Sequence, residues 1–264
     1  MSSISGKVVW VTGASSGIGE ALAFELSKNQ CKLILSARTT ERLQEVRHRC
    51  KFPENACILP MDLAAPEKAA EIVEKALSFF GHVDVLINNA GISQRSLISD
   101  TTFAVYKQLM DVNYLGTVAL TNALLPHMVQ RKSGQIAVVT SLMGKFGSPL
   151  RSGYCAAKHA LHGYFDVLRM EHQADGIKVT LLCPGYVQTS IAKNALTGRG
   201  EKQGRTDKAT EAGLEPAAVA LKMINAISAS KYEVYIGGKE IFGVYLKRWF
   251  PKLLHQVVMK SQVV

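Results

Sequence analysis

The chain has 264 residues, 47% of them hydrophobic and 20% charged, which excludes a disordered or collagen-like chain and suffices for one large α/β core. Lys and Arg total 31 against 21 Asp and Glu, a formal net charge of +10; this suits an anionic cofactor or an acidic membrane surface. The positive residues are dispersed and form no basic block interleaved with aromatics, so no nucleic acid is expected as a partner. Cys31, Cys50, Cys57, Cys155 and Cys183 are odd in number and form no CxxC pair. They suggest no disulfide framework and no metal site, and point to a reducing, cytoplasmic setting. No signal peptide is read before Lys7, and no uncharged apolar run reaches the ~18 residues of a transmembrane helix.

Short β-branched runs alternate with helical patterns along the chain. Lys7–Val11 reads as a buried strand leading into Thr12–Gly19, and Glu20–Lys28 as a helix. Lys32–Ser36 is a second strand and Thr40–Cys50 a charged amphipathic helix; Ala56–Pro60 is a third strand and Pro66–Phe80 a helix. Val83–Asn88 is a fourth strand, and a long helix over 105–131 should bend or restart at Pro126. Gln135–Ser141 is a fifth strand, Gly153–Gln173 a helix, Lys178–Cys183 a sixth strand and Glu233–Ile236 a short seventh. Apolar strands each followed by a helix predict an α/β fold, a doubly wound parallel sheet of about seven strands with helices on both faces. Thr197–Gly213, rich in glycine and charge, breaks the rhythm as a structureless insertion, and a lid over about 190–213 is expected there.

The glycine-rich turn carries Gly13, Gly17 and Gly19, with Ser15, Ser16 and Ile18 between them. It sits after a strand and before a helix, where glycine permits close backbone approach to a pyrophosphate and the helix N-terminus offers unpaired N–H groups. Tyr154 and Lys158 are four residues apart, hence on one face of a helix. A tyrosine near pKa 10 is a reluctant proton carrier at neutral pH, and an adjacent ammonium stabilises its phenolate.

The TGxxxGxG spacing of the turn, Asn88–Gly91 (NNAG), Asn113 in DVNYLG, Ser141, the YCAAK of Tyr154 and Lys158, and Pro184–Gly185 with Thr189 beyond occur in one order. With them the sequence resembles the short-chain dehydrogenase/reductase family from Lys7 to about Ile191. The resemblance implies a Rossmann-fold domain over residues 1–238 that binds NADP(H) and reduces a carbonyl or oxidises an alcohol. Tyr154 would carry the proton, Ser141 would position the reacting oxygen, and Lys158 would acidify the tyrosine and hold the nicotinamide ribose. Asn113 would anchor a proton-resupplying water. Asn89, Ala90 and Gly91 would pack beside the adenosine, Asp62 and Leu63 would meet the adenine, and Val187 and Thr189, after Pro184 and Gly185, would hold the carboxamide. The segments around GKFGSPLRSGYCAAK and PGYVQTS narrow the likeness to the branch of 11-beta-hydroxysteroid dehydrogenase and acyl/alkyl-dihydroxyacetone-phosphate reductase.

An NAD site needs a carboxylate at the end of the second strand, whereas an NADP site needs a cation for the 2′-phosphate. Ala37 stands where the acid of NAD users would fall, and Arg38 follows it; the expectation is NADP(H) over NAD(H), with Ser36, Thr39 or Ser15 as neutral donors. The substrate pocket draws on Leu142, Met143, Gly144, Lys145, Phe146, Pro149 and Leu150, on Tyr186, Ile191 and Leu196, and on the lid. Its apolar bias suits a hydrophobic carbonyl or alcohol such as a steroid, a retinoid or an acyl-lipid ketone, and the nearby cations Lys145 and Arg151 leave room for an anionic head group. Residues 239–264 form a basic amphipathic extension, with aromatics and Lys247, Arg248, Lys252 and Lys260 interspersed. It lies on a membrane surface, packs on the body or meets a partner copy. Leu161, Phe165, Leu168 and Met170 are read as an outer face for a homodimer or homotetramer, or alternatively as core. The competing readings are an idle NADP(H)-binding sensor and a Rossmann methyltransferase, which has no use for the tyrosine–lysine pair.

Overall fold

The computed structural model describes residues 4–260. Seven strands, β1 (Val8–Thr12), β2 (Lys32–Ser36), β3 (Ala56–Ile58), β4 (Val85–Asn88), β5 (Gly134–Val139), β6 (Ile177–Pro184) and β7 (Glu233–Ile236), form one parallel sheet. Their order is β3-β2-β1-β4-β5-β6-β7. The chain thus reverses its direction of growth between β1 and β4, and the carboxyl ends of these strands bound the crevice where such sheets bind ligands.

Alternation within each strand divides the core in two. Val9 and Val11 of β1 and Leu33 and Leu35 of β2 face helices α1 (Gly17–Lys28), α2 (Thr40–Arg49) and α8 (Pro216–Ser228). Val8, Trp10 and Ile34 face α3 (Ala69–Phe80), α5 (Gly116–Gln130) and α6 (Ser152–Glu171). Both faces of the strands are apolar because both are covered, so the sequence reads as unbroken runs of hydrophobic residues. Trp10, fully buried, satisfies its one polar atom by donating from Nε1 to Ser36 Oγ at 2.8 Å.

Three local expectations are corrected. The long helix does not break at Pro126, which lies inside α5. It runs on from α4 (Phe103–Met110) through a wide π-type turn, Asp111–Leu115, into α5, with right-handed helical dihedrals at Met110, Asp111, Leu115 and Gly116. Leu161, Phe165 and Leu168 are core residues, and of the supposed outer face of α6 only Met170, 68% exposed, is at the surface. The stretch over 197–213 is not structureless. It holds the short helix α7 (Lys208–Glu211), and the backbone ties it down through Thr102 N–H to Gly198 O (2.9 Å) and Leu214 N–H to Tyr186 O (3.0 Å).

Beyond β7 the chain forms two helices, α9 (Phe242–Trp249) and α10 (Pro251–Lys260), rather than one. Pro251 cannot donate a backbone hydrogen bond, and it opens the second helix. Leu254 is buried against Leu142, Phe146 and Cys183, so the extension packs on the body. Residues 261–264 of the expected extension lie outside the described residues. Among the described residues no helix is long and apolar enough to cross a membrane.

Candidate active site

A cavity of about 810 Å³ opens at the carboxyl ends of the strands. Of the residues expected at the site, it is lined by Gly13, Ser15, Ser16, Gly17 and Ile18 of the turn, Arg38, Asp62, Leu63, Asn89, Ala90 and Gly91. Ser141, Tyr154, Lys158, Pro184, Gly185, Val187 and Thr189 complete that set. Gly19 and Asn113 do not reach it.

Their places have physical reasons. At Gly19 a Cβ would lie 2.1 Å from Gly13 O, so α1 packs onto the turn only with glycine there. Gly13 and Gly17 have φ of +67° and +58°, a region that L-side chains rarely adopt. Asn89 holds the turn from beneath, donating from Nδ2 to Thr12 O at 2.9 Å. Asn113 sits in the π-type turn, and its carboxamide clasps the backbone of Ile92. Oδ1 accepts from the Ile92 N–H at 2.8 Å and Nδ2 donates to its carbonyl at 2.9 Å. The residue therefore fixes the segment after β4 and stands behind the cavity.

Tyr154 and Lys158 belong to the first turns of α6, and the Lys158 Nζ lies 5.8 Å from the centre of the Tyr154 ring. Gln94 orients that helix end: its Oε1 accepts from the N–H of Gly153 at 2.8 Å and of Tyr154 at 3.4 Å. Ser141 begins the single turn Leu142–Gly144. It accepts from the Met143 N–H at 3.1 Å and donates to Pro184 O at 3.3 Å. Burial pushes the Tyr154 phenol above its ordinary range, with hydrogen bonding from Ser141 pulling the other way. Burial also brings Lys158 down to about 8. Lys158 Nζ donates to Val139 O at 2.8 Å, and desolvation dominates both groups.

The substrate side departs from expectation in part. Leu142, Met143, Phe146, Tyr186, Ile191 and Leu196 line the cavity, whereas Gly144, Lys145, Pro149 and Leu150 do not. Lys145 instead pairs with Glu233 at 2.7 Å. Glu233 also accepts from Tyr235 Oη and lies 3.4 Å from His162 Nδ1. His162, Cys183 and Glu233 bring ligand-type atoms within 4.8 Å of one another. The Glu233 carboxylate is already engaged, and burial pushes the Cys183 thiol up to about 12, so the trio reads as a hydrogen-bonded node behind the Ser141 turn.

Sequence reading missed three contributors. α9 and α10 supply Phe242, Gly243, Leu246, Leu254, Val257 and Val258 to the cavity wall; their amphipathic pattern was visible, but not which surface they cover. Arg95 and Asp207 were missed outright. They pair across 112 residues, and no local pattern encodes such a contact.

Known proteins bear on this site in three ways. A family profile described as short chain dehydrogenase matches residues 7–200. The human protein "Dehydrogenase/reductase SDR family member 7" is 48% identical over 201 residues, covering 74% of this chain and 59% of that protein. The chain thus spans less than two thirds of the human relative. A Drosophila melanogaster protein, "Dehydrogenase/reductase SDR family protein 7-like", is 38% identical over 98% of this chain and 81% of its own length. A crystal structure of a short chain dehydrogenase/reductase from Burkholderia phymatum in complex with NAD superposes with a TM-score of 0.86. It covers 96% of each chain at 23% identity, a likeness of fold. The matched profile, these relatives and the crevice built from one turn, one serine and one tyrosine–lysine helix agree, and the chain belongs to the short-chain dehydrogenase/reductase family.

Proposed function

We propose that the protein transfers hydride between NADP(H) and a hydrophobic carbonyl or alcohol, with Tyr154 as the proton donor and acceptor. The observation that carries this reading is the meeting of Ser141, Tyr154 and Lys158 on one wall of the cavity whose far end is the glycine turn. The turn fits a dinucleotide. A Cβ at Gly13 would lie 2.8 Å from Ala90 Cα and one at Gly17 2.9 Å from Thr189 Cγ2, so only glycine leaves the backbone free to meet a pyrophosphate. Arg38, exposed at the cavity rim after Ala37, favours a 2′-phosphate over a 2′-hydroxyl.

When bound, the nicotinamide cofactor supplies or accepts the hydride. In reduction Tyr154 gives its proton to the carbonyl oxygen while the Ser141 hydroxyl donates to the same oxygen and stabilises its developing charge. A phenol held protonated by burial is in the form that donates. Lys158 binds the ribose hydroxyls and, once turned from the Val139 carbonyl, favours the phenolate that remains. Leu142, Met143, Phe146, Leu246 and Leu254 give the substrate an apolar bed. The segment over 190–213 serves as the lid. Leu115, Val167 and Met170 are exposed apolar residues that support a homodimeric or homotetrameric contact. The basic, aromatic-bearing outer side of α9 and α10 supports contact with a membrane surface.

The test is NADPH consumption over panels of steroid, retinoid, acyl-ketone and small aldehyde substrates. Turnover of apolar ketones, faster with NADPH than with NADH, is the expected result. NADPH binding without turnover of any carbonyl would favour a sensor instead.

A further inference from the structure

When Tyr154 gives up its proton, a phenolate is left in a buried wall, and a positive charge must steady it there. Lys158 donates to the Val139 carbonyl, and burial brings it down to about 8. A guanidinium keeps its charge where a buried ammonium gives its proton up. Arg95 and Arg151 line the same cavity as Tyr154, with side chains 6% and 4% exposed.

Their contacts close a ring behind the tyrosine. Arg151 stands immediately before α6 and precedes Tyr154 by three residues. On the other side, Gln94 Oε1 accepts from the Tyr154 N–H at 3.4 Å, and the Gln94 carbonyl accepts from Arg95 Nη1 at 2.7 Å. Asp207, from the segment over 190–213, joins the two guanidiniums. Its Oδ2 accepts from Arg95 Nε at 2.9 Å, from Arg95 Nη2, and from Arg151 Nη2 at 3.3 Å. The further partners are neutral oxygens, Ser93 Oγ for Arg95 at 2.9 Å and Ser148 Oγ for Arg151 at 3.1 Å. Two cations on one carboxylate leave one positive charge uncompensated and shielded from water. Tethering the segment needs one guanidinium, and a second adds a burial cost unless a negative charge forms beside it.

The other groups around the phenol do not fill that role. On α6, burial raises the Cys155 thiol, which keeps it neutral, and Lys158 is turned to Val139. From α4, Tyr106 Oη is engaged with Ser152 Oγ at 3.2 Å. After β6, Tyr186 lines the cavity, and its N–H donates to the Glu240 carboxylate at 3.3 Å. Burial pushes the Tyr154 phenol up; against it work the hydrogen bond with Ser141 and the charges of Arg95 and Arg151.

We propose that Arg151 and Arg95 are positioning residues that act through Tyr154: the positive charge that Asp207 leaves uncompensated stabilises the phenolate formed when the proton leaves Tyr154 Oη. Asp207 sets how much of that charge the phenol meets. With Asp207 seated, one net charge bears on it; with the segment withdrawn, two do. A single carboxylate thereby couples the lid to the proton. The proposal rests on the reading of Tyr154 as proton donor and adds the regulation of that group.

The experiment follows ionisation of the phenol itself, by NMR of the full chain carrying isotope-labelled tyrosine. The signal absent from Tyr154→Phe is the one titrated, and its displacement at a fixed alkaline pH gives the phenolate fraction. Arg151→Gln should lower that fraction about tenfold, the effect of one pKa unit, and Asp207→Asn should raise it. Asp207→Glu, which keeps the charge, should leave it within about twofold of the unaltered protein. A purely structural cluster behaves otherwise: loosening the wall admits water, relieves the burial of the phenol and raises the fraction in every variant. An equal or higher fraction in Arg151→Gln therefore overturns the proposal, as does an equal or lower one in Asp207→Asn. Should Arg151→Gln not fold, Arg95→Gln carries the same expected sign and the same contradiction. The two readings fail separately. Full turnover by Tyr154→Phe removes the proton path, whereas the phenolate fraction reports on the guanidinium pair without any substrate.

Discussion

Burial moves Tyr154 and Lys158 in opposite directions with one effect: each is driven toward its neutral form. The spacing of the pair was legible because four residues on a helix fix two side chains on one face. Its electrostatics were not, because they depend first on burial, which residues distant in sequence create, and the Lys158 ammonium donates to the Val139 carbonyl 19 residues away. Arg38 is the simplest residue to test. Arg38→Asp replaces a phosphate-binding cation with a carboxylate suited to a ribose 2′-hydroxyl. The NADPH-to-NADH ratio of kcat/KM should fall by about 100-fold, as expected from losing one charge-assisted contact and adding a repulsive one. An unaltered ratio in steady-state assays would remove Arg38 from the cofactor site.

Among the elements, strands and most helices were readable because their apolar periodicity coincides with their burial in the two-faced core. The π-type turn in the long helix was not, since the apolar pattern runs through Asp111–Leu115 and only the backbone changes its winding. Helix α8 carried a signal in Pro216, at its first turn, that the sequence reading left unused. The node around Glu233 joins three elements, β7, α6 through His162, and the turn after Ser141 through Lys145. Burial alone would raise this carboxyl, but hydrogen bonds from His162, Lys145 and Tyr235 hold it down to about 2. A depressed carboxyl contributes stability above its unfolded value of 4.5 and loses it as pH falls from there toward 2. Glu233→Gln should therefore cost about 2 kcal/mol at pH 7 in urea unfolding, with the gap to the unaltered protein narrowing below pH 4.5. A gap constant across that range would show that charge does not hold the node.

For the molecule as a whole, the sheet order explains why residues from the two ends of the sequence share one crevice. The switch between β1 and β4 opens it, and β5 and β6 bring Ser141 and Pro184 to its rim. Helices α9 and α10 close the apolar side and leave Trp249 and Phe250, 71% and 62% exposed, on their outer surface beside Lys247, Arg248 and Lys252. If that surface meets lipid, Trp249→Ser with Phe250→Ser should lower co-sedimentation with anionic vesicles several-fold while leaving the melting temperature in place. Equal co-sedimentation of the two proteins would assign the surface elsewhere.

The account as a whole turns on a single phenol, and Tyr154→Phe removes its hydroxyl with little change of shape. The decisive measurement pairs NADPH affinity with kcat for a reduced ketone in that variant. The predicted result is an affinity within about twofold of the unaltered protein and a kcat lower by about 10²- to 10⁴-fold, the range of a lost general acid. Turnover equal to that of the unaltered protein would contradict the proton path from Tyr154.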